Sequence, residues 1–332
     1  MILQERVKLL LFVLLSISLN SFSTNTKFYN ISDTYGITSG EAFSICKDQY
    51  GFIWTSTKTG ILRVTEGDCR NYELPCRTTD FVFVKLTYSN SQLFSYTNNG
   101  QIFHYDEPTD QFFFLTDLRE ETDNSHITIG TIVADTSKVL WIASSIGLFK
   151  YENNILTKIP QTKEDIKHLT FYDGNHLFYI TSAGISLLNI STSESRLLYS
   201  NTTEDFFQVP SLYYDDQLKR LWIGTGSAGL FYYDIIRKSL SDIPIRNFPK
   251  QPILAIRKDA KNTLLIGIDG QGIWNISEKG DTILHIYKED LNNPFSLRGD
   301  GVYDILCDGS KNWIATFTGK LSFFENSNSQ IT

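Results

Sequence analysis

One pattern is repeated seven times along the sequence, and it restricts the possible folds more than any other feature. Each copy has an apolar or aromatic anchor residue, a glycine six or seven positions later, and then a further apolar segment. The anchors, which lie 37 to 48 residues apart, are Trp54, Phe94, Trp141, Phe178, Trp222, Leu265 and Trp313. The glycines are Gly60, Gly100, Gly147, Gly184, Gly229, Gly272 and Gly319. Seven copies in one register predict seven similar structural units.

Each copy reads as four short β-strands joined by turns. In the first copy the strands are "AFSICKD", "FIWTST", "GILRVTE" and "CRNYELP". Aromatic residues make up 14% of the sequence, and aromatic and β-branched residues favour strands. Four anchors are preceded, six residues earlier, by an aspartate that suits a turn because its carboxylate can accept from the backbone two residues on: Asp48, Asp135, Asp216 and Asp259. The glycine after each anchor permits a positive φ where the chain re-enters the sheet.

A lone four-stranded sheet of this size cannot bury its faces, so the repeats are expected to pack on one another. Repetition at about 40–45 residues is typical of a β-propeller, whose sheets surround a central axis. We therefore predict an all-β, seven-bladed β-propeller of four-stranded antiparallel blades. The tryptophans Trp54, Trp141, Trp222 and Trp313 are interpreted as packing residues between sheets, and Gly60, Gly147, Gly229 and Gly319 as structural turn positions.

The two ends of the repeat region are complementary. The seventh copy contains "VYDILCD", "NWIATFT" and "KLSFFE" but no fourth strand, whereas "KFYNISDTYGIT" near the amino end places an apolar strand ahead of the first copy. We predict that Phe28–Ile31 is the outer strand of the last blade, because an open ring would expose strand edges. The propeller domain is assigned to residues 24–326, and residues 327–332 to a polar tail or the start of a linker.

The amino-terminal residues have the pattern of a secretory signal peptide. Arg6 and Lys8 precede an apolar run from Leu9 to about Leu19, and small and polar residues follow. We assign residues 1–23 as the signal peptide. The run is shorter than the roughly 20 residues that a transmembrane helix needs, and an uncleaved anchor is the alternative interpretation. We expect a periplasmic protein, tethered to a membrane only if the chain continues into a transmembrane helix.

Charge and cysteine content restrict the partners and the metal chemistry. The formal net charge of −7 and the pI of about 5.3 disfavour nucleic acid as a partner, because the phosphate backbone would be repelled. Cys69 and Cys76 are spaced to close a short hairpin loop in an oxidising compartment, and four unpaired, mostly buried thiols, with Cys46 and Cys307, are the other interpretation. We predict no metal site and no cofactor, since the sequence has no CxxC pair and no histidine near a cysteine at ligand spacing.

Signatures of catalysis are sparse. The five histidines form no HExxH motif, and no G-x-S-x-G nucleophile elbow is present. The glycine-rich "GTGSAG" and "GIDGQG" segments coincide with the repeat and are interpreted as hairpin turns. We predict that this chain is not an enzyme, and the alternative is an exported propeller hydrolase or lyase acting on carbohydrate. A glycosidase would need two carboxylates about 5–10 Å apart at the entrance of the channel.

Candidate ligand-binding residues lie in the loops that lead into each inner strand and in those that join the second and third strands. Loops carry function more often than the elements that they connect. Several of these loops pair an aromatic ring with amide or charged groups, a combination that suits an oligosaccharide; the alternative is that the rings cap the core or face a second propeller. The candidates are Asp205, Phe206, Phe207, Asn247, Phe248, Asp269, Gln271, Phe295, Arg298, Lys58 and Asn98.

Three segments resemble the regulator-propeller repeat of the periplasmic sensor domains of hybrid two-component histidine kinases. The segment "GITSGEAFSICKDQYGFIWTSTKTGILRV" (36–64) is similar to a whole repeat unit of that family. The segment "YKEDLNNPFSLRGDGVYDIL" (287–306) resembles its loop between blades, with an Asn-Pro-x-Ser-Leu step, and "LWIGTGSAGLFYYD" (221–234) matches its strand pair. The resemblance extends over residues 28–324.

This resemblance implies a function and a set of partners. Such sensors carry two propellers, a small β-sandwich, a membrane helix, a histidine kinase core and often a response regulator, and their periplasmic part responds to oligosaccharides or other breakdown products. We therefore expect a ligand-sensing propeller that binds an oligosaccharide or other small ligand and contacts a second propeller or downstream sensor domains, with a homodimer as a further possibility. The chain is expected to be either the N-terminal piece of a longer sensor or a stand-alone relative.

Overall fold

The strands predicted for each repeat are formed, and they assemble into seven four-stranded sheets. The structure is a computed structural model that describes residues 26–35, 41–58, 60–65, 67–160, 162, 164–201 and 208–326. Within these residues all strand pairs are antiparallel, and in six of the sheets the strands follow one another in sequence order. The predicted signal peptide and the polar tail lie outside the described residues.

The sheets are numbered as blades 1 to 7 in chain order, and the strands of each blade run from the innermost to the outermost. Blade 1 contains Ala42–Lys47 (β2), Ile53–Thr57 (β3), Gly60–Val64 (β4) and Cys69–Tyr72 (β5). Blade 2 contains Val84–Ser89 (β6), Gln92–Thr97 (β7), Gln101–Asp106 (β8) and Gln111–Asp117 (β9). Blade 3 contains Ile129–Ala134 (β10), Leu140–Ser144 (β11), Gly147–Glu152 (β12) and Ile155–Lys158 (β13). Blade 4 contains Leu169–Asp173 (β14), His176–Thr181 (β15), Gly184–Asn189 (β16) and Ser195–Ser200 (β17). Blade 5 contains Ser211–Asp215 (β18), Arg220–Gly224 (β19), Leu230–Asp234 (β20) and Ser239–Asp242 (β21).

The last two blades complete the ring. Blade 6 contains Ile253–Lys258 (β22), Leu264–Ile268 (β23), Gly272–Ile276 (β24) and Ile283–Tyr287 (β25), and blade 7 contains Val302–Asp308 (β26), Lys311–Thr316 (β27), Lys320–Glu325 (β28) and the amino-terminal Phe28–Asn30 (β1). In the part of the chain that the structure describes, two five-residue helices lie between strands, Ile31–Tyr35 (α1) and Leu118–Thr122 (α2).

The amino-terminal strand closes the ring as predicted. Strand β1 pairs with β28, so that Phe28 lies opposite Phe324 and Tyr29 lies opposite Phe323. The strand is one residue shorter than predicted because Ile31 begins helix α1, where its side chain is buried in the core between blades 7 and 1. The prediction of a seven-bladed propeller whose last blade is completed by the amino end is therefore confirmed.

The hydrophobic core is divided among the seven junctions between blades. Seven buried apolar clusters of described residues each combine side chains of two neighbouring blades, including the junction of blades 7 and 1. The four recurrent tryptophans are at most 8% exposed, and each belongs to one of these clusters. They pack between sheets because a single blade offers too little apolar surface to cover an indole ring.

The aspartate that precedes two of these tryptophans does more than form a turn. The Asp135 carboxylate accepts from the backbone N–H groups of Ser137 and Val139 at 2.8 and 3.0 Å, and from the Trp141 indole Nε1 at 2.9 Å. Asp48 holds the indole of Trp54 in the same way, at 2.7 Å. The aspartate thus fixes both the turn and the orientation of the ring that packs between blades.

The recurrent glycines are required where a sheet re-enters close to its neighbouring chain. Gly147 has a φ of +125°, and a Cβ atom built on it would lie 2.3 Å from the carbonyl oxygen of Thr162. Because an L-residue rarely adopts this φ and a carbonyl oxygen in the backbone cannot move away cheaply, only glycine fits here.

Candidate functional site

The mouth of the central channel is the one place where described residues of all seven blades meet. A cavity of about 430 Å³ opens there, at the ends of the inner strands and beside the loops that lead into them. Its lining residues are Phe43, Phe83, Lys85, Asn98, Thr128, Ile129, Gly130, Asp165, Lys167, Gln208, Val209, Pro210, Gly226, Pro252, Leu254 and Tyr303. The volume falls within the range of small-molecule sites, which runs from about 300 to 1,000 Å³.

Aromatic rings form one wall of this channel-mouth cavity. The Phe43 ring lies between those of Phe83 and Tyr303, with centroid distances of 6.4 Å and 5.5 Å. The Tyr303 ring is supported from behind by Phe317 at 5.9 Å in a stacked arrangement. Aromatic rings that are held by other rings lose little conformational freedom on binding, so this wall is a preformed apolar surface.

Polar side chains surround the aromatic wall. Asn98 accepts at its side-chain oxygen from the backbone N–H groups of Val82 and Phe83, at 2.7 and 3.1 Å, and so holds the segment that leads into β6. Gln208 is exposed at the rim, and its carbonyl accepts from the Gly226 N–H at 2.9 Å. These side chains offer hydrogen-bonding groups next to an apolar surface, as ligand sites require.

An ion pair lies deeper in the channel. Arg257 donates to the Asp304 carboxylate at 3.0 Å, and the other oxygen of Asp304 accepts from the backbone N–H of Ile45 at 2.9 Å. These residues belong to the inner strands β22, β26 and β2, so the pair bridges blades 6, 7 and 1. The carboxylate accepts a third hydrogen bond from its neighbouring N–H of Ile305 at 2.9 Å, which leaves it well satisfied.

His168 lies near two positively charged side chains, Arg257 of this ion pair and Lys85 of the cavity lining. Burial, together with the charges of Lys85 and Arg257, lowers its pKa to about 3. Its Nδ1 lies 2.9 Å from the Leu169 carbonyl oxygen. Because a neutral ring must donate at this contact, Nδ1 carries the proton and Nε2 is an acceptor.

Three of the predicted ligand-binding residues, Asp205, Phe206 and Phe207, lie outside the described residues. Of the others, Asn98 lines the channel-mouth cavity. Asp269 lies at its rim, where its backbone N–H donates to the Pro252 carbonyl at 2.9 Å and its charge raises the pKa of Tyr303, after burial as the main cause.

The structure places the remaining predicted residues outside the cavity lining. Phe248 packs against Trp274, with ring centroids 5.1 Å apart, in the core between blades 5 and 6. Phe295 lies against Tyr29, and Arg298 forms an ion pair with Asp33 at 2.6 Å. Gln271 accepts from Lys288 at 3.0 Å, and Asn247 and Lys58 are exposed.

The sequence analysis missed the main lining residues, Phe43, Lys85 and Tyr303. All three lie at the second position of an inner strand, whereas the candidates predicted from the sequence lie in loops. A signal was available in the sequence of β6, "VKLTYS", because it places a lysine between two apolar residues of an inner strand.

Other clefts lie between the blades, away from the channel mouth. One, of about 280 Å³, lies between blades 1 and 2 and is lined by Arg63, whose guanidinium lies over the Trp54 ring and pairs with Asp110 at 3.1 Å. Another, of about 890 Å³, lies at the junction of blades 7 and 1 and borders Trp313. Both clefts are also lined by aromatic and polar side chains, but each is built by two neighbouring blades, whereas residues of all seven blades line the cavity at the mouth.

The described residues contain neither a metal-binding cluster nor a helix that could span a membrane. No group of three or more His, Cys, Asp or Glu side chains in them is arranged to hold a metal ion. Neither α1 nor α2 has the length and hydropathy that crossing a bilayer demands. Cys46, Cys69, Cys76 and Cys307 are all free thiols; Cys46 is buried and the other three are partly exposed.

Similarity to solved structures agrees with the architecture. The extracellular domain of BT3049 from B. thetaiotaomicron, described as a hybrid two-component system, superimposes with a TM-score of 0.72 at 18% identity, over 91% of this chain and 42% of that chain. The extracellular domain of BT4673 from the same organism, described as a one-component system in one structure and as a hybrid two-component system in another, gives 0.71 at 20% identity in the first, over 91% and 40% of the two chains. This chain shares their propeller fold. It spans about two fifths of their length.

The fold is also found in an enzyme. Virginiamycin B lyase from Staphylococcus aureus superimposes with a TM-score of 0.71 at 13% identity, over 91% of this chain and 99% of that chain. No protein-family model and no curated protein sequence matches this chain. At these identities the likeness shows the fold, and function has to be argued from the site.

Proposed function

We propose that this chain is the ligand-sensing propeller of an extracellular or periplasmic sensor in a two-component system, and that its ligand binds in the channel-mouth cavity. The ligand is an oligosaccharide or a similar breakdown product of a polymer. The observation that carries this proposal is the convergence of all seven blades on one cavity with an aromatic wall and a polar rim. The signal-peptide pattern and the likeness to extracellular domains of two-component systems support the location and the role.

The chemistry of the cavity suits a sugar. The faces of aromatic rings pack against the C–H groups of a sugar ring, while amides and charged groups bind its hydroxyls. Phe43, Phe83 and Tyr303 supply the first kind of contact, and Asn98 and Gln208 supply the second. A ligand at this position would touch several blades at once, so binding could change how the blades pack and be transmitted to an adjoining domain.

A carbohydrate hydrolase or lyase is the second candidate, favoured by the likeness to virginiamycin B lyase over the full length of that enzyme. Among the described lining residues Asp165 is the sole carboxylate, and it is paired with Lys167. This arrangement does not supply the two free carboxylates that a glycosidase uses.

The test is a thermal-shift screen of the 332-residue chain against oligosaccharides from enzymatic digests of plant and host polysaccharides. A ligand at one hundred times its dissociation constant should stabilise the protein by about 2.7 kcal/mol. Each stabilising oligosaccharide is then incubated with the protein and analysed for new reducing ends. Stabilisation without cleavage supports the sensor, cleavage supports the hydrolase or lyase, and the absence of any shift across the screen contradicts the proposed function.

A further inference from the structure

From the charges in the channel mouth, we infer that the ligand carries an anionic group, a carboxylate or a sulfate ester, which docks on the Lys85 ammonium. This inference rests on the proposed function and narrows it from oligosaccharides in general to acidic ones. It depends on the placement of Lys85, on the pairing of the other charges in the channel, and on the polarity of the rim.

Among the described residues that line the cavity, Lys85 is the cation without an ion-pair or hydrogen-bond partner. It is the second residue of the inner strand β6, is partly buried, and lines the channel-mouth cavity. Among the described residues no hydrogen bond or ion pair reaches its ammonium group, whose nearest defined contact is the Phe83 ring at 5.0 Å from Nζ to the centroid. Burial lowers the pKa of Lys85, which the charge of Asp304 partly opposes. An ammonium in such surroundings lacks a counter-ion.

The other basic groups near Lys85 are paired or uncharged. Lys167 is paired with Asp165, and Arg257 is paired with Asp304. His168 is uncharged at neutral pH, because burial and the nearby Lys85 and Arg257 charges hold its pKa at about 3. Among the described residues this leaves Lys85 as an unpaired positive charge at the Phe83 end of the aromatic wall, in a protein whose formal net charge is −7.

The acidic side of the rim sets the orientation of the ligand. The charges of Asp269 and Glu41 both raise the pKa of Tyr303, after burial as the main cause, so these carboxylates lie near the Tyr303 end of the aromatic wall. Lys85 lies at the opposite end, beside Phe83. We therefore place the anionic group of the ligand over the Phe83 end and neutral, hydroxyl-rich rings over the Tyr303 end, since an anion there would be repelled.

Paired probes of identical sugar skeleton test the inference. Trigalacturonate is compared with its fully methyl-esterified form, and a sulfated chondroitin disaccharide with its chemically desulfated form, by calorimetry at low and high salt. The expected result is that at least one acidic probe binds about tenfold or more tightly than its less charged partner. This preference should decrease as ionic strength rises, because salt screens the charge of an accessible ammonium.

Variants assign the preference to Lys85. Lys85→Met keeps the length of the side chain without its charge and should lower the affinity for the acidic probe about 10- to 100-fold, while Lys85→Arg should retain most of it. Lys58→Met is the matched control, because Lys58 is an exposed lysine at a turn that joins the second and third strands of blade 1, outside the cavity lining. Each variant is first compared with the wild type by thermal denaturation to show that it folds.

The outcomes separate this inference from the proposed function. If the uncharged probes or other neutral oligosaccharides bind and the acidic ones bind no better, the sensor proposal stands and the inference is wrong. If acidic probes bind but Lys85→Met and Lys58→Met behave alike, the assignment to Lys85 is wrong. If neither acidic nor neutral oligosaccharides bind, the proposed function and this inference are both wrong.

Discussion

Phe28 lies directly opposite Phe324 in the outer strand pair of blade 7, with ring centroids 5.0 Å apart. The contact joins the amino end of the described chain to its last strand, and the Tyr287 ring of blade 6 completes the cluster at 5.5 Å from Phe28. The backbone N–H of Phe28 also donates to the Phe295 carbonyl at 2.8 Å. Closure of the ring thus depends on a three-residue strand whose one buried aromatic side chain bridges two blades.

We predict that Phe28→Ala destabilises the propeller by about 3–5 kcal/mol, the usual cost of deleting a buried phenylalanine ring. The measurement is chemical denaturation followed by tryptophan fluorescence. Tyr29→Ala is the control, because the neighbouring side chain is 45% exposed and points to the other side of the strand. Equal destabilisation by the two variants would show that Phe28 is not the residue that holds the closure.

The aspartate before Trp141 gives a second prediction. Asp135→Ala leaves two buried donors without an acceptor, the Val139 N–H and the Trp141 indole, and each such donor costs about 1–3 kcal/mol. We expect a loss of at least about 2 kcal/mol in the free energy of unfolding. Asp242→Ala, at an exposed aspartate of β21, should change it by no more than about 0.5 kcal/mol. A loss at Asp135 no larger than that at Asp242 would argue against the role of the indole contact.

His168 makes stability depend on pH in a defined direction. In the folded protein its pKa is about 3, whereas the unfolded residue titrates near 6.5, so the unfolded state binds the proton first as pH falls. The free energy of unfolding therefore decreases between pH 6.5 and 3, at a rate of at most about 1.4 kcal/mol per pH unit from this residue. His168→Gln should lose less stability than the wild type between pH 7 and 5, and the same between pH 8 and 7. Parallel curves from pH 7 to 5 would show that burial does not hold His168 neutral.

The close approach at Gly147 predicts a contrast between two glycines. Gly147→Ala should cost about 1–3 kcal/mol from the backbone conformation alone, and more because its Cβ would meet the Thr162 carbonyl. Gly174→Ala is the control, since a Cβ there would meet nothing within 4 Å. Melting temperatures of the two variants test the point, and similar values would mean that the turn at Gly147 can relax.

Most of the architecture could be predicted from the sequence because its determinants are local and repeated. The spacing of Trp54 to Gly60 marks a pair of strands within one blade, and seven such spacings give the number of blades. The seventh repeat has no fourth strand after Phe324, and the segment at Phe28 is a strand that precedes the first repeat. Pairing the two segments gives every blade four strands and closes the ring. The hydrogen bond from Trp54 to Asp48 was not predicted, although the constant spacing of six residues was noticed and assigned only to a turn.

The candidate site could be predicted only in part, because it is formed by residues of different blades that lie far apart in the sequence. Asn98 was found since its loop faces the channel mouth, but the sequence does not tell which loop residues point inward. Phe248 was taken as a ligand contact, and in the structure it packs on Trp274 between blades. Phe43 and Tyr303 lie far apart in the chain, and only the closed ring brings their rings to 5.5 Å.

The most direct test of the account is calorimetric titration of a Leu254→Trp variant with an oligosaccharide that stabilises the wild type. Leu254 is partly buried and lines the channel-mouth cavity, so an indole ring there would fill the space that the ligand needs. Leu197→Trp, on the 52% exposed leucine of the outer strand β17, is the control. A loss of binding of tenfold or more in Leu254→Trp alone is the predicted result, and wild-type affinity in a correctly folded Leu254→Trp variant would contradict a binding site at the channel mouth.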